Sequence, residues 1–357
     1  MPSFACVQGE KQCGSLCGLG NGEPVMENKA MMVNERMRLV ARTHDSAPSL
    51  DLTKKRHPGE TLIQGFLFLC GFMTIFTTIA IVIVLGRESL LLVSSNYVDE
   101  GGTVHTIGVL DFVNTTRWQP HRYEVGIAPL ATATLLSSAI AMLVALPLGL
   151  GSAIYLSEYA SPRVRATIKP ILEVLAGVPT VVYGFFALQF MTPLLQSLLG
   201  RDVVEIFNVA SAGLVMGVMI LPLVASMSED ALSAVPRSLR EASYGLGSTR
   251  LETTVRVVLP AAVSGIAAAF IIAISRAIGE TMIMAIAAGA RSNFTLNPFE
   301  SAWTMTGYIA SISGGDLAYD TLDYNSIFVV GLLLFLMTLA LNILSRSIVA
   351  RFREVYE

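Results

Sequence analysis

The sequence predicts an all-α polytopic membrane protein with six transmembrane helices, and three observations lead there. Of its 357 residues, 53% are hydrophobic and only 14% are charged, against about 25% charged in a soluble domain. The apolar residues gather into six runs that approach or exceed the ~20 residues needed to cross ~30 Å of hydrocarbon. Lysine and arginine gather in alternate connections between those runs, with a bias of about three to one, as the positive-inside rule requires. This composition argues against a water-soluble enzyme or a disordered regulator. A net charge of −3 offers no clustered excess of cations for a polyanion, so no nucleic-acid partner is expected.

Residues 1–60 form a leader rich in Gly, Asn and Glu, with no signal-peptide core near its start. It reads as a mostly disordered cytoplasmic tail, in which only 31–42 has the pattern of a short helix. Cys6, Cys13 and Cys17 lie in it and Cys70 lies in an apolar run, which makes no disulfide framework. The Cys13–Cys17 pair has no second pair and no nearby His, so no metal and no cofactor are expected.

The first transmembrane helix spans 61–85. An outer loop, 86–126, follows with Trp118-Gln119-Pro120; it has room for a small folded cap and carries no catalytic grouping. Residues 127–345 form the core. Its apolar runs are 127–156, 168–190 (extending towards 199), 206–227, 261–289 and 326–345. The second and fifth spans exceed a perpendicular crossing, which predicts tilt or extension beyond the membrane. Pro147-Leu-Gly-Leu-Gly and Gly177-Val-Pro179 are expected to interrupt the second and third spans. A C-terminal tail, 346–357, completes the chain. An even number of spans and the cation bias place both termini in the cytoplasm.

The connection 228–260 is too regular for a spacer. Pro236 suits a helix start; Leu239, Ala242 and Leu246 fall on one helical face; Gly245 and Gly247 supply a tight turn. A second helix, 250–258, then leads to Pro260 at the membrane. Such a knob fits a partner's groove, and an amphipathic loop lying at the headgroups is the competing reading. Glu241-Ala242-Ser243, Gly247 and Leu259-Pro260 resemble the EAA loop of bacterial ABC importer permeases, with Ser243 and Val257 as small departures from its pattern. The resemblance implies the type I ABC importer permease fold. It also makes this loop a coupling helix seated in a separate ATPase subunit, with Glu241, Ala242 and Gly247 in that contact. The five lysines (Lys11, Lys29, Lys54, Lys55 and Lys169) never follow Gly, so a phosphate-loop Gly-Lys is absent. The chain is not expected to be an enzyme, and ATP hydrolysis falls to another polypeptide.

Arg276 lies sixteen residues past Pro260, roughly 24 Å along a helix and inside the hydrocarbon. An Arg at such a depth costs ~2.5–3.5 kcal/mol on insertion scales, which points to function. Glu280, at i+4, shares its face if the helix continues. Two readings are open: a structural ion pair, or an anion site. In the second, the guanidinium fork meets a tetrahedral oxyanion, while Glu280 holds its rotamer and accepts from a protonated oxyanion, favouring phosphate over sulfate.

Arg276-Ala-Ile-Gly-Glu280-Thr281-Met282 is similar to the permeases of the high-affinity phosphate importer. So are Ala153-Ile-Tyr-Leu-Ser-Glu-Tyr-Ala160 and Glu173-Val-Leu-Ala-Gly177-Val-Pro179-Thr-Val-Val-Tyr183-Gly184. Thr281-Met282 and the outer-loop Trp118-Gln119-Pro120 favour the C-type subunit. The resemblance covers about 86–352 and implies a multi-pass inner-membrane permease, surrounded by lipid and carrying phosphate past Arg276 and Glu280. It also implies partners: ABC ATPase subunits, a second (A-type) permease and an extracytoplasmic phosphate-binding protein. The same architecture carrying sulfate or molybdate is the alternative, and an ion-coupled carrier or channel a weaker one. Thr132, Thr134, Ser137 and Ser138 suit either path lining or helix packing. Pro179, Thr180, Tyr183 and Gly184 suit either an anion-facing half-helix start or an ordinary kink.

Overall fold

The computed structural model describes residues 58–94, 96–98, 104–106, 108, 111–292, 294–315 and 321–352. The leader through residue 57, with Cys6, Cys13 and Cys17, lies outside the described residues, as does the tail beyond 352. The chain falls into two units, Met1–Gly71 and Phe72–Glu357. In the first, the described residues belong to helix α1 (Pro58–Ser94), which continues into the second. The packing below is that of the second unit.

Among the described residues, six helices are long and apolar enough to cross a membrane: Leu62–Ser94, Ala128–Tyr159, Thr180–Leu199, Val209–Ser233, Arg250–Ile278 and Leu322–Ser347. Their number is that read from the sequence, but their ends differ in instructive ways. The first helix runs on to Ser94, past Arg87-Glu88, instead of ending at residue 85. Of the two interruptions expected, only the one in the third apolar run forms. Helix α3 (Ala128–Ile154) passes through Pro147 without a break and winds on through a π-helical turn, Tyr155–Tyr159. Ser161 then caps a separate amphipathic helix, α4 (Pro162–Ala176), whose Pro162 is preorganised for a first turn. Pro179 holds an extended ψ of 135° before α5 (Thr180–Phe186) begins. The third span therefore starts at Thr180, not at residue 168, and continues through a π turn, Ala187–Met191, into α6 (Thr192–Leu199). Tyr183 donates its hydroxyl to the Leu175 carbonyl at 2.9 Å across the break, satisfying one of the groups that an interruption in lipid leaves exposed.

The central contact is between α3 and α7 (Val209–Ser233). Small residues let the backbones close: a Cβ on Gly217 would sit 2.8 Å from the Ala141 carbonyl, and one on Gly149 2.7 Å from Val224. This is the small-residue packing that lipid-embedded helices use, since apolar burial gives no net drive there. Thr134, Ser137 and Ser138 belong to the same surface. They are buried, return their hydroxyls to backbone carbonyls of their own helix at 2.7–3.0 Å, and Thr134 also accepts from the Met305 amide at 3.0 Å. Packing is the reading their geometry favours.

At the Ala128 end of α3 lies a small cap. It contains the one-turn helix α2 (Asp111–Asn114) and two antiparallel strand pairs, β1 (Asn96–Val98) with β2 (Val104–Thr106) and β3 (Trp118–Gln119) with β4 (Glu124–Val125). Trp118 is fully buried and meets the edge of Tyr308 in a T-shaped contact at 5.3 Å. Leu92, Leu130 and Val330 complete this core.

Candidate functional site

Two groups of residues singled out by sequence lie towards different parts of the bundle: a surface knob after α7, and a charged cavity beside it in the helix layer.

The knob is helix α8 (Arg237–Gly245) followed by a turn. Only Ala234, Val235 and Pro236 separate it from the end of α7 at Ser233, so residues 228–233 are part of a span and not of a loop. Gly247 adopts φ +84°, a left-handed conformation that an L side chain enters only at a cost. Thr249 then caps the next helix with a reciprocal Thr249–Glu252 box. That helix, α9 (Arg250–Thr253), runs through a π turn, Thr254–Val258, into α10 (Leu259–Ile278). The second knob helix and the fifth span are thus one rod, and Pro260 sits in the first turn of α10 rather than at a boundary.

The buried face of the knob is not the one expected. Leu239 packs inward against Leu232 and Val258, but Ala242 is exposed and Leu246 is 88% exposed. Ser243 is the inward residue, joined to Thr253 by a 2.9 Å hydroxyl contact. Glu241, Ala242, Tyr244, Leu246 and Gly247 all face outward. The helix is tethered through Arg240. Its guanidinium donates to the carbonyls of Val235 (2.6 Å) and Leu232 (2.8 Å) and to Glu158 at 3.1 Å. It therefore closes the C-terminus of α7, where unpaired carbonyls attract a cation.

The cavity holds about 220 Å³ and is lined by Lys169 and Glu173 of α4, by Met219, Ser226 and Glu229 of α7, and by Arg276 of α10. Arg276 does not lie in mid-helix. It occupies the last turn of α10, which stops at Ile278 with Gly279 as its cap. Among the described residues Arg276 makes no ion pair and no hydrogen bond.

Glu280 lies beyond the helix end, so the shared face expected at i+4 does not form. Gly279 turns the chain; Glu280 is buried, accepts from the Met282 amide at 3.2 Å, and its carbonyl receives the Thr306 hydroxyl at 2.7 Å. A structural Arg276–Glu280 ion pair is therefore not what holds this region. The helix-breaking power of Gly279 prevailed over the i+4 spacing. Pro179, Thr180, Tyr183 and Gly184 sit at the start of the broken third span, and Gly184 lets the backbone approach Ile286 closely.

Glu229 was not singled out in the sequence, and it is the best-partnered carboxylate of the site. Its side chain is 1% exposed and takes an ion pair from Arg165, another from Lys169 at 3.0 Å, and the Ser233 hydroxyl at 3.1 Å. Arg165 and Lys169 belong to one of the cation-rich connections. Their partner lies sixty residues or more along the chain, beyond the reach of any local pattern.

The chain has relatives. A family described as the binding-protein-dependent transport system inner membrane component matches residues 145–354, more than half of the chain. The chain belongs to that family. It is a multi-pass permease subunit of the inner membrane, not an enzyme. YqgH of Bacillus subtilis strain 168, a probable ABC transporter permease protein, is 29% identical over 284 residues, 79% of this chain and 88% of the relative. The phosphate transport system permease protein PstC of Mesorhizobium japonicum is 30% identical over 257 residues, 67% of this chain and 78% of the relative. A crystal structure of a bacterial alginate ABC transporter, in complex with an alginate pentasaccharide-bound periplasmic protein, includes a chain of like fold. The TM-score is 0.54 at 16% identity, covering 85% of this permease and all of that chain. This likeness places the permease in the ABC importer fold.

Proposed function

We propose that the permease forms the translocation pathway of an ATP-driven inorganic phosphate importer, as its C-type membrane subunit. The observation that carries the proposal is Arg276, a guanidinium without a partner among the described residues, on the wall of a cavity between membrane-spanning helices. Arg276 is exposed to the space it lines, so its guanidinium is open to a ligand, and a cation at membrane depth is retained chiefly for function. Its planar fork of five donors suits a tetrahedral oxyanion. Kinship with PstC proteins such as that of Mesorhizobium japonicum supports phosphate among the oxyanions. Glu280, buried one residue past the helix cap, is not among the residues lining this cavity; its part in the pathway is to shape the turn that presents Arg276.

In this reading both termini and the knob face the cytoplasm, and the strand-paired cap faces outward. The exposed residues Glu241, Ala242 and Gly247, with Leu246 at their edge, seat in a cleft of an ABC ATPase subunit. A second permease of the A type completes the pathway, and an extracytoplasmic phosphate-binding protein delivers the anion to the cap side. ATP binding closes the ATPase pair, and the knobs transmit that closure to the rods continuous with them. The pathway then opens outward so that phosphate reaches Arg276, and hydrolysis resets it.

The experiment is phosphate uptake into vesicles carrying the complete transporter, with sulfate and molybdate as competitors. Phosphate uptake that neither competitor reduces is expected, and Arg276→Gln abolishes it while the complex still assembles. Transport of sulfate or molybdate in preference to phosphate would reassign the substrate.

A further inference from the structure

Lys169 stands out once the lysines are placed. The sequence holds five, and the other four all precede residue 56; the remaining one lines the same cavity as Arg276. Its ammonium bonds Glu229 at 3.0 Å and Asp230 at 3.2 Å, which uses two of its three donors. We infer that Lys169 is a second anion-binding group on the passage that includes Arg276, with the buried Glu229 as its resident counter-ion. The inference rests on the oxyanion reading given above and adds a residue and a hand-off to it.

Three observations combine. The cavity follows α7 from Met219 to Glu229, ten residues or ~15 Å of helix, too long for one cation to serve. Second, Glu229 does not depend on Lys169 alone. When the ammonium turns to an arriving anion, Glu229 keeps the Arg165 ion pair and the Ser233 hydroxyl, so the buried carboxylate is not stranded, the outcome that makes breaking such pairs costly. Lys169 itself is 35% exposed, and a partly hydrated ammonium exchanges one oxyanion for another at small net cost. Third, the wall carries two carboxylates, Glu173 and Glu229, beside its two cations. That balance favours passage over retention, because conduction needs binding weak enough, and over enough stations, to let the ion leave. The passing phosphate displaces a carboxylate from Lys169, and Glu229 reclaims the ammonium when the anion departs.

The test uses the complete transporter in proteoliposomes with inorganic phosphate, reading uptake together with ATP hydrolysis stimulated by the binding protein. Lys169→Gln is expected to lower uptake about 10-fold, the order of one charge-assisted hydrogen bond, while hydrolysis persists. Lys169→Arg, which keeps the charge, is expected to stay within about 2-fold of the parent. The decisive variant is the double K169Q/E229Q. If Lys169 only neutralises Glu229, removing both charges restores uptake and the inference is overturned; continued low uptake in an assembled complex supports it. Uptake by K169Q within about 2-fold of the parent also overturns it, at the level of a surface ion pair. Should K169Q fail to assemble, the charge-balanced double variant separates the two outcomes by itself. Failure of the phosphate reading is seen separately, in the parent complex, before any substitution is made. The same variants are then read on the oxyanion that the parent carries.

Discussion

Two arginines at helix ends meet opposite fates in this molecule. Arg240 caps α7 with both of its terminal nitrogens, reaching two carbonyls and Glu158, and its side chain is 16% exposed. Arg276 occupies the last turn of α10 and has no protein partner among the described residues. The first is a fastener whose hydrogen-bonding capacity is largely used within the fold. The second keeps its capacity open in a cavity wall, where only a ligand or water can fill it. Lys169 stands between the two, partnered but replaceable.

The contrast makes an ordering of stability effects, measurable by thermal unfolding of the detergent-solubilised transporter. Arg240→Ala has the largest. It leaves the carboxylate of Glu158, 5% exposed, with the Ser157 hydroxyl but no cation, and uncaps α7, and breaking one side of such a buried pair costs about 3–5 kcal/mol. The knob is expected to detach with it, seen as rapid proteolysis between α7 and α10. Gly247→Ala comes next at about 1–2 kcal/mol, because φ +84° is strained for any residue with a Cβ; ATPase stimulation in the complex is expected to fall with it. Thr249→Ala removes the side-chain cap of the Arg250 helix and costs about 1 kcal/mol, with the turn but not the bundle affected. Arg276→Gln is expected to change stability by less than about 0.5 kcal/mol, since no contact within the fold is lost. An Arg276→Gln variant as unstable as Arg240→Ala would erase the distinction between fastener and open site.

What the sequence made legible follows from the range of each interaction. Apolar runs are local, and so the number of spans could be read directly. The knob was legible because Pro236, Gly245 and Gly247 act on their immediate neighbours. The start of the third span was misplaced by a dozen residues because Ile168, Ile171, Leu172, Val174 and Leu175 extend an apolar pattern across Gly177-Val178-Pro179, although they belong to an amphipathic helix of their own. Spacing alone suggested that Arg276 and Glu280 share a face, and one glycine between them ended the helix. Glu229, with its partners on α4 sixty or more positions earlier, and Glu158, which Arg240 reaches from 82 positions away, are tertiary partners that no window of sequence contains.

The most direct measurement is phosphate uptake and unfolding temperature taken together on one preparation of the Arg276→Gln transporter. The account predicts uptake lower by about 100-fold or more, the order of two charge-assisted hydrogen bonds, in a complex that melts with the parent. Parental uptake, or a loss of uptake explained by a complex that has come apart, would contradict it.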